Sequence, residues 1–563
     1  MSSVSSATYT TSTTSYSVDR SGLTTDEAVT LKVQPYLDRI DSINTKVSAN
    51  ETKISAYQTM QSLLQNLQTY SEYLRAPSDS SKDAFAFRSA SLTSSSSTTA
   101  SSLLSTTIAD GTATGTHEIT IEQLAKAERL GSTSQSSKTS ALNLSGSFTI
   151  GESGSTAASI SVSTTMSLSD IVSAVNAQSS TTGVTASVVA ISTTSSSSAY
   201  MMVLTATDTG LPIQMTTTSG SVLSSLGVTG SDGSTAADVL QAAQAAKIDV
   251  DGITGITRTS NDISDVLDGV TLNLTKADPS TTITMEITHD SSSVENAISN
   301  FVSAYNSWRS FVTTNQTVDS TTSAASSSAT LFGDSSLRGS AGEIDSALSA
   351  YIGSSSLGAI GISFNSSNQL VIDSTTLESA LSTNFSTVQK LFEYEATSSS
   401  SELTLSGHAS TTFAGTLSLT ITSDGTKVTG VSGTDSNGNA ASFTYSGNVI
   451  KGASGTVYAG LTFAYTGTET SNTVTVTATR GIGDTVFGVA KGYGNSTDGT
   501  VEDLITNLES RDTALTSQAD QLQTQANTYA SYLQTQYALL EAKISTANQT
   551  VSLLQEMMSS TSS

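Results

Sequence analysis

Both ends of the chain carry helical seams. From Val33 the apolar positions run Val33, Tyr36, Ile40, Ile43, Val47, Ile54, Tyr57 and Leu64, in three-, four- and seven-residue steps. That spacing keeps one stripe of a helix apolar and is the seam of a coiled coil. Towards the other end, Leu504, Leu508, Leu515, Leu522 and Tyr529 form one seam. Leu533, Tyr537, Leu540, Ile544, Val551, Leu554 and Met558 form a second, offset by four residues. Such an offset locally unwinds a coiled coil. The expectation is that one segment packs inside the protomer and the other against neighbours, with the division near residue 530. Termini that must find each other, or other copies, point to an assembling structural protein rather than a self-contained enzyme.

The interior is a different kind of sequence. Hydrophobic residues are 36% of the chain and charged residues 13%, the latter about half the usual share. Ser and Thr supply the polarity, and Val and Ile recur in alternation, which reads as β-sheet with hydroxyl-covered faces. At 563 residues the chain exceeds what one core supports, so several domains are expected. A polar tail covers residues 1–30, a helical leg 31–77, and β-rich head domains 78–290 with a compact unit at 146–210. A mixed α/β domain follows at 291–400, an inserted antiparallel β domain at 401–482, and a helical stalk at 483–563. Within these, 78–107 reads as a connector, the stretch after Ile121 as partly helical, and Leu377–Phe392 as one helix. The fold class is α+β multidomain, with the terminal helices paired as a coiled-coil leg and stalk.

Net charge is −25 and the 23 Lys and Arg are scattered, so no phosphate-binding patch for nucleic acid exists. Without cysteine there are no disulfides, thiolate metal sites or cysteine nucleophiles. No run of about 20 apolar residues would cross a membrane. The tail lacks the basic and apolar regions of a secretory signal, so export would use a route other than a cleaved one. Three histidines, His117, His289 and His408, sit alone in β-type sequence and are expected to be exposed or half-buried, not metal ligands. Asp249-Val-Asp251-Gly252 lacks the remaining ligands of a calcium loop and reads as a hairpin turn. Gly481-Ile-Gly483 precedes a helix without a phosphate-loop signature. No catalytic, cofactor or metal constellation emerges. The candidate functional residues are the seam positions, Val33, Tyr36, Ile40, Ile43, Val47, Ile54 and Tyr57 with Leu533, Tyr537, Leu540, Ile544, Val551 and Leu554.

Four stretches and the closing helix resemble a known family. They are Gly115-Thr-His-Glu-Ile-Thr-Ile-Glu-Gln-Leu-Ala-Lys-Ala127; residues 146–210 with Ala174-Val-Asn176 and Thr207-Asp-Thr-Gly210; Asp251-Gly252 through Arg258-Thr-Ser-Asn261, Asp268-Gly-Val-Thr-Leu-Asn-Leu274 and Phe301-Val-Ser-Ala-Tyr-Asn306; and Leu357-Gly-Ala-Ile-Gly-Ile-Ser363 with Leu370-Val-Ile-Asp373 and Val388-Gln-Lys-Leu-Phe392. With Ser531-Tyr-Leu-Gln-Thr-Gln-Tyr537 and Asn548, these resemble the flagellar hook-associated protein 2 family of filament caps. The resemblance implies a non-enzymatic, homo-oligomeric cap at the distal tip of the bacterial flagellum. It implies flagellin at the filament end as a partner, and the flagellar type III export apparatus with an export chaperone. It implies neither a cofactor nor membrane insertion. Host glycan or mucin is a partner class open to cap heads, and nothing in the sequence marks a site for it. The other classes considered are a filament or hook–filament junction subunit and a surface adhesin.

Overall fold

The computed structural model of the chain describes residues 17–18, 23–77, 79–194, 197–408 and 413–560. They form two compact units, one of Ala84–Ser293 and one of Met1–Asp83 with Val294–Ser563.

The second unit is built on two long helices, Thr25–Glu72 and Thr500–Ser560. The leading helix starts earlier than the expected residue 31. Asp26 and Glu27 sit in its first turn, where carboxylates oppose the helix dipole, and Val29 is buried against the closing helix. Residues 1–16 and 19–22 of the expected tail lie outside the described residues. Towards its C-terminal end the leading helix buries Met60, Leu64 and Leu67 and packs on the helix Ile482–Gly494. The crossing is close: a Cβ on Gly494 would lie 2.7 Å from Leu64 Cβ. Helix Ser291–Gln316 buries Phe301, Tyr305 and Trp308, with Ser335–Leu348 and the hairpin Ile362–Phe364/Leu370–Ile372 beside it. The expected single helix over Leu377–Phe392 is two, Ser374–Thr383 and Phe385–Phe392, because Asn384 leaves helical geometry at φ −139, ψ 41.

A β insert rises from this unit. One sheet orders Glu395–Ser398, Ser471–Thr479, Gly415–Ser423, Val428–Asp435 and Ala440–Ala441; the other orders Leu403–His408, Leu461–Tyr465, Val449–Gly452 and Phe443–Ser446. Alternation places Leu417, Leu419 and Ile421 inward against Phe463, Tyr465, Val474 and Val476.

The Ala84–Ser293 unit has two cores. A five-stranded sheet (Ile253–Arg258, Ala246–Val250, Gly115–Gln123, Asp278–His289, Arg88–Ser94) shares one core with the three-stranded Asp262–Leu267, Val270–Leu274, Leu104–Ile108. The other core joins the sheet Ile213–Gly220, Gly146–Glu152, Ala158–Val162 to the sheet Val239–Gln241, Arg129–Gly131, Ser197–Ala206, Val184–Thr194. Helix Leu168–Asn176 packs here, its start fixed by a capping box between Ser167 and Asp170. Two expectations are corrected in this unit. The 78–107 connector contains the strand Arg88–Ser94, whose alternation runs through Ser, Ala and Thr, and the strand Leu104–Ile108. The stretch after Ile121 is extended, held by the bridge from Lys126 to Gln244 and the strand Arg129–Gly131. Asp251 and Gly252 make a two-residue hairpin turn with both φ positive, 51° and 80°.

Candidate assembly interface

Along the paired helices, large side chains on one face small ones on the other. Ile40, Ile43 and Val47 pack with Ala519 and Leu522, and Val29 and Val33 with Ala530. Tyr36 and Leu515 flank the first cluster, while Tyr529, Leu533 and Tyr537 flank the second. Ala519, Ala526 and Ala530 are all nearly fully buried; their missing bulk admits the branched side chains opposite. Ile54 is half-buried. Tyr57 serves a different contact, its hydroxyl donating to Asp334 Oδ2 at 2.7 Å. Burial, and then the Asp334 carboxylate, pushes the Tyr57 phenol above its ordinary range.

The expected division at residue 530 is corrected. Ala530, Leu533 and Tyr537 still pack on the leading helix, so internal pairing runs through the phase change. Among the described residues the helix pairing ends where Thr25 begins the leading helix, its hydroxyl donating to Glu541. Beyond that point the closing helix continues to Ser560. Leu540, Ile544, Val551, Leu554 and Met558 share one helical face by their spacing and are 40–72% exposed. At 1.5 Å per residue the stripe extends about 27 Å.

The other end of the pair is anchored by a buried ionic cluster. Asp484, 1% exposed, lies in the first turn of the helix that Gly481 caps. Its Oδ1 accepts from Arg75 Nε at 3.2 Å and its Oδ2 from Arg480 Nε at 2.7 Å. Arg75 also lies 4.1 Å over the Phe487 ring. His408 Nε2 is 3.5 Å from Asp484 Oδ1, and its ring stacks on Tyr394 at 4.5 Å. Burial raises the Asp484 pKa; the neighbouring His408 ring and the two guanidinium groups outweigh it and hold the carboxyl below its ordinary value. His408 is therefore neither exposed nor half-buried as expected, but a buried side chain tying the insert to the helices. The glycines explain themselves here. A Cβ on Gly481 would sit 2.2 Å from the Phe392 carbonyl carbon, and one on Gly483 2.8 Å from Leu74 O, so both mark close backbone crossings.

Beside this cluster Glu393, 8% exposed, meets Asp83. Burial first, then the Asp83 charge, pushes the Glu393 carboxyl up to about 9. The folded state then holds a proton that the unfolded chain releases near pH 4.5. Between those values the unfolded state binds fewer protons, so this group makes stability fall as pH rises. Glu393→Gln removes that slope. The variant's stability relative to the parent should climb between pH 5 and pH 8, by up to about 1.4 kcal/mol per pH unit. Urea unfolding read by the single tryptophan, Trp308, checks it. Trp308 is fully buried in the same unit.

Among the described residues no group of His, Cys, Asp or Glu could hold a metal ion, and no helix is long and apolar enough to cross a membrane.

Comparison with known proteins gives a consistent pattern. The family of flagellar hook-associated protein 2 C-termini matches residues 243–549, the corresponding N-terminal family residues 21–128, and the flagellin hook IN motif residues 147–208. No curated protein matches. Among solved structures, the D1-D2-D3 domains of the flagellar cap protein FliD from Escherichia coli are similar at 30% identity, over 60% of this chain and 90% of that one, with a TM-score of 0.48. FliD (HAP2) from Pseudomonas aeruginosa PAO1 is 25% identical over 38% of this chain and 98% of that one, with a TM-score of 0.32. The D2-D3 domains of the FliD cap protein from Serratia marcescens are 25% identical over 31% and 94%, with a TM-score of 0.27.

Proposed function

The chain belongs to the flagellar hook-associated protein 2 family and is a structural protein, the cap at the distal tip of the bacterial flagellar filament; from that premise we propose that it works as a scaffold that retains exported flagellin and guides its ordered polymerisation. The observation behind this reading is the exposed apolar stripe Leu540, Ile544, Val551 and Leu554 on the closing helix. Leu540, Ile544, Val551 and Leu554 would dock in gaps at the filament end, and an incoming flagellin would displace them. Each contact must be weak enough to release, while several copies of the chain together hold the cap by avidity. The seam from Val33 to Val47 keeps the base of each leg stiff. Self-assembly, flagellin at the filament end, passage through the flagellar type III export apparatus without a cleaved signal, and an export chaperone complete the proposal.

A chain ending at Glu541 tests it. Cells carrying that chain should release flagellin monomer into the medium and build few or no filaments. Filaments of normal number and length would overturn the leg proposal.

A further inference from the structure

Two features of the Ala84–Ser293 unit complement each other. The first is a cleft of about 770 Å³ on the outer face of the sheet Val239–Gln241, Arg129–Gly131, Ser197–Ala206, Val184–Thr194. A sheet with one buried face normally presents polar residues on the other. Here Val189, Val203 and Leu240 line the cleft among polar neighbours such as Ser187 and Thr205, together with Lys126 and Arg129. Val189 and Leu240 are 46% and 49% exposed, and Ile191 and Val239, on the same two strands, are as open. Neither cation forms an ion pair among the described residues, in a chain whose net charge is −25.

The second feature is the hairpin tip at Asp251-Gly252. Ile253 projects there at 66% exposure, the most open large aliphatic side chain of this unit. Asp249 and Asp251 flank it. Asp249 accepts from Gly255 N, and Asp251 from His117 Nδ1 and Glu118 N. Each carboxylate has further acceptor capacity, since two oxygens offer about four sites. An exposed aliphatic side chain beside two carboxylates is thus complementary in sign to a cleft that offers aliphatic side chains and two cations without an ion-pair partner among the described residues.

We propose that the cleft lined by Val189, Val203 and Leu240 receives the Ile253 hairpin tip of a second copy of this chain, with Lys126 and Arg129 facing Asp249 and Asp251. The inference rests on the self-assembly reading above and names its surface. Donor and acceptor are different patches, so the contact is heterologous: copies add head to tail, and a ring results where the rotation closes.

The chain has no cysteine, so introduced thiols are unique. Full-length Val189→Cys and Ile253→Cys proteins, both altered at exposed positions, are mixed and treated with a short bis-maleimide. Covalent dimers should form in the mixture and in neither protein alone, and the double variant should give a ladder. Lys126→Glu with Arg129→Glu should raise the concentration for half-assembly on the order of tenfold or more. An assembled chain, by sedimentation velocity, with no 189–253 link overturns the surface alone. So does a link in Val189→Cys alone, or assembly indifferent to the charge reversal. A chain monomeric at every concentration overturns self-assembly and this surface together.

Discussion

Asp484→Ala should cost the helical unit about 3–5 kcal/mol, because it strands the buried Arg75 guanidinium and takes an acceptor from the partly exposed Arg480. Arg75 is 5% exposed and Asp484 is its one ion-pair partner among the described residues. Arg480 would lose its Nε acceptor as well. Its Nη2 bond to the Asp484 main-chain oxygen does not need the carboxylate and survives the substitution. Asp484→Asn keeps the volume and one acceptor oxygen and should fall between the parent and Asp484→Ala. The readout is urea unfolding followed by Trp308 fluorescence. The pH profile provides an independent check. The Asp484 carboxyl is held below its ordinary value, so its stabilisation is present above the unfolded pKa and lost as pH falls through the folded one. Both variants should lack that acid limb. Variants as stable as the parent would mean the cluster contributes no more than the hydrophobic packing around it.

Leu540→Asp with Ile544→Asp should abolish filament growth while leaving the fold intact. Both positions are 40% exposed or more and neither belongs to the packed clusters of the helix pair, so the carboxylates stay hydrated. The change in unfolding free energy should remain within about 0.5 kcal/mol. At the filament end the same two charges would have to be desolvated in an apolar gap, which is costly without a partner. Cells should therefore secrete flagellin and swim poorly, while the purified variant unfolds like the parent. This differs from truncation at Glu541 in removing only apolar character and keeping the helix. Normal filaments on the double variant would show that the stripe is not a docking face.

The parts legible in the sequence are those whose signal is local and apolar. The seam Val33–Ile40–Ile43–Val47 and the alternation Leu417–Leu419–Ile421 announce their elements through large side chains at a fixed period. Ala519, Ala526 and Ala530 line the same interface and escape notice, because alanine reads equally well as filler. The strand Arg88–Ser94 is hidden for a related reason: its inward positions include only one large apolar side chain, Leu92, with Ala90 beside it. The end of helix pairing is not local information either. It depends on where Thr25 starts the partner helix, hundreds of residues from the phase change at 530. The ionic cluster is the most distant case. Arg75, His408 and Asp484 come from three separate stretches, and nothing near any of them in sequence shows that this one carboxylate will face Arg75, His408 and Arg480 together.

The insert leaves and returns on adjacent antiparallel strands, with Glu395 opposite Thr479. To the helical unit the whole module is therefore a hairpin loop of unusual length. Closing that stem with a short turn would forfeit the His408 contact and the insert's own core, yet leave every long helix in register. A surface module attached in this way can be lengthened, exchanged or dropped without redesigning the machine that carries it. The insert can thus change while the paired helices stay constrained by their own packing.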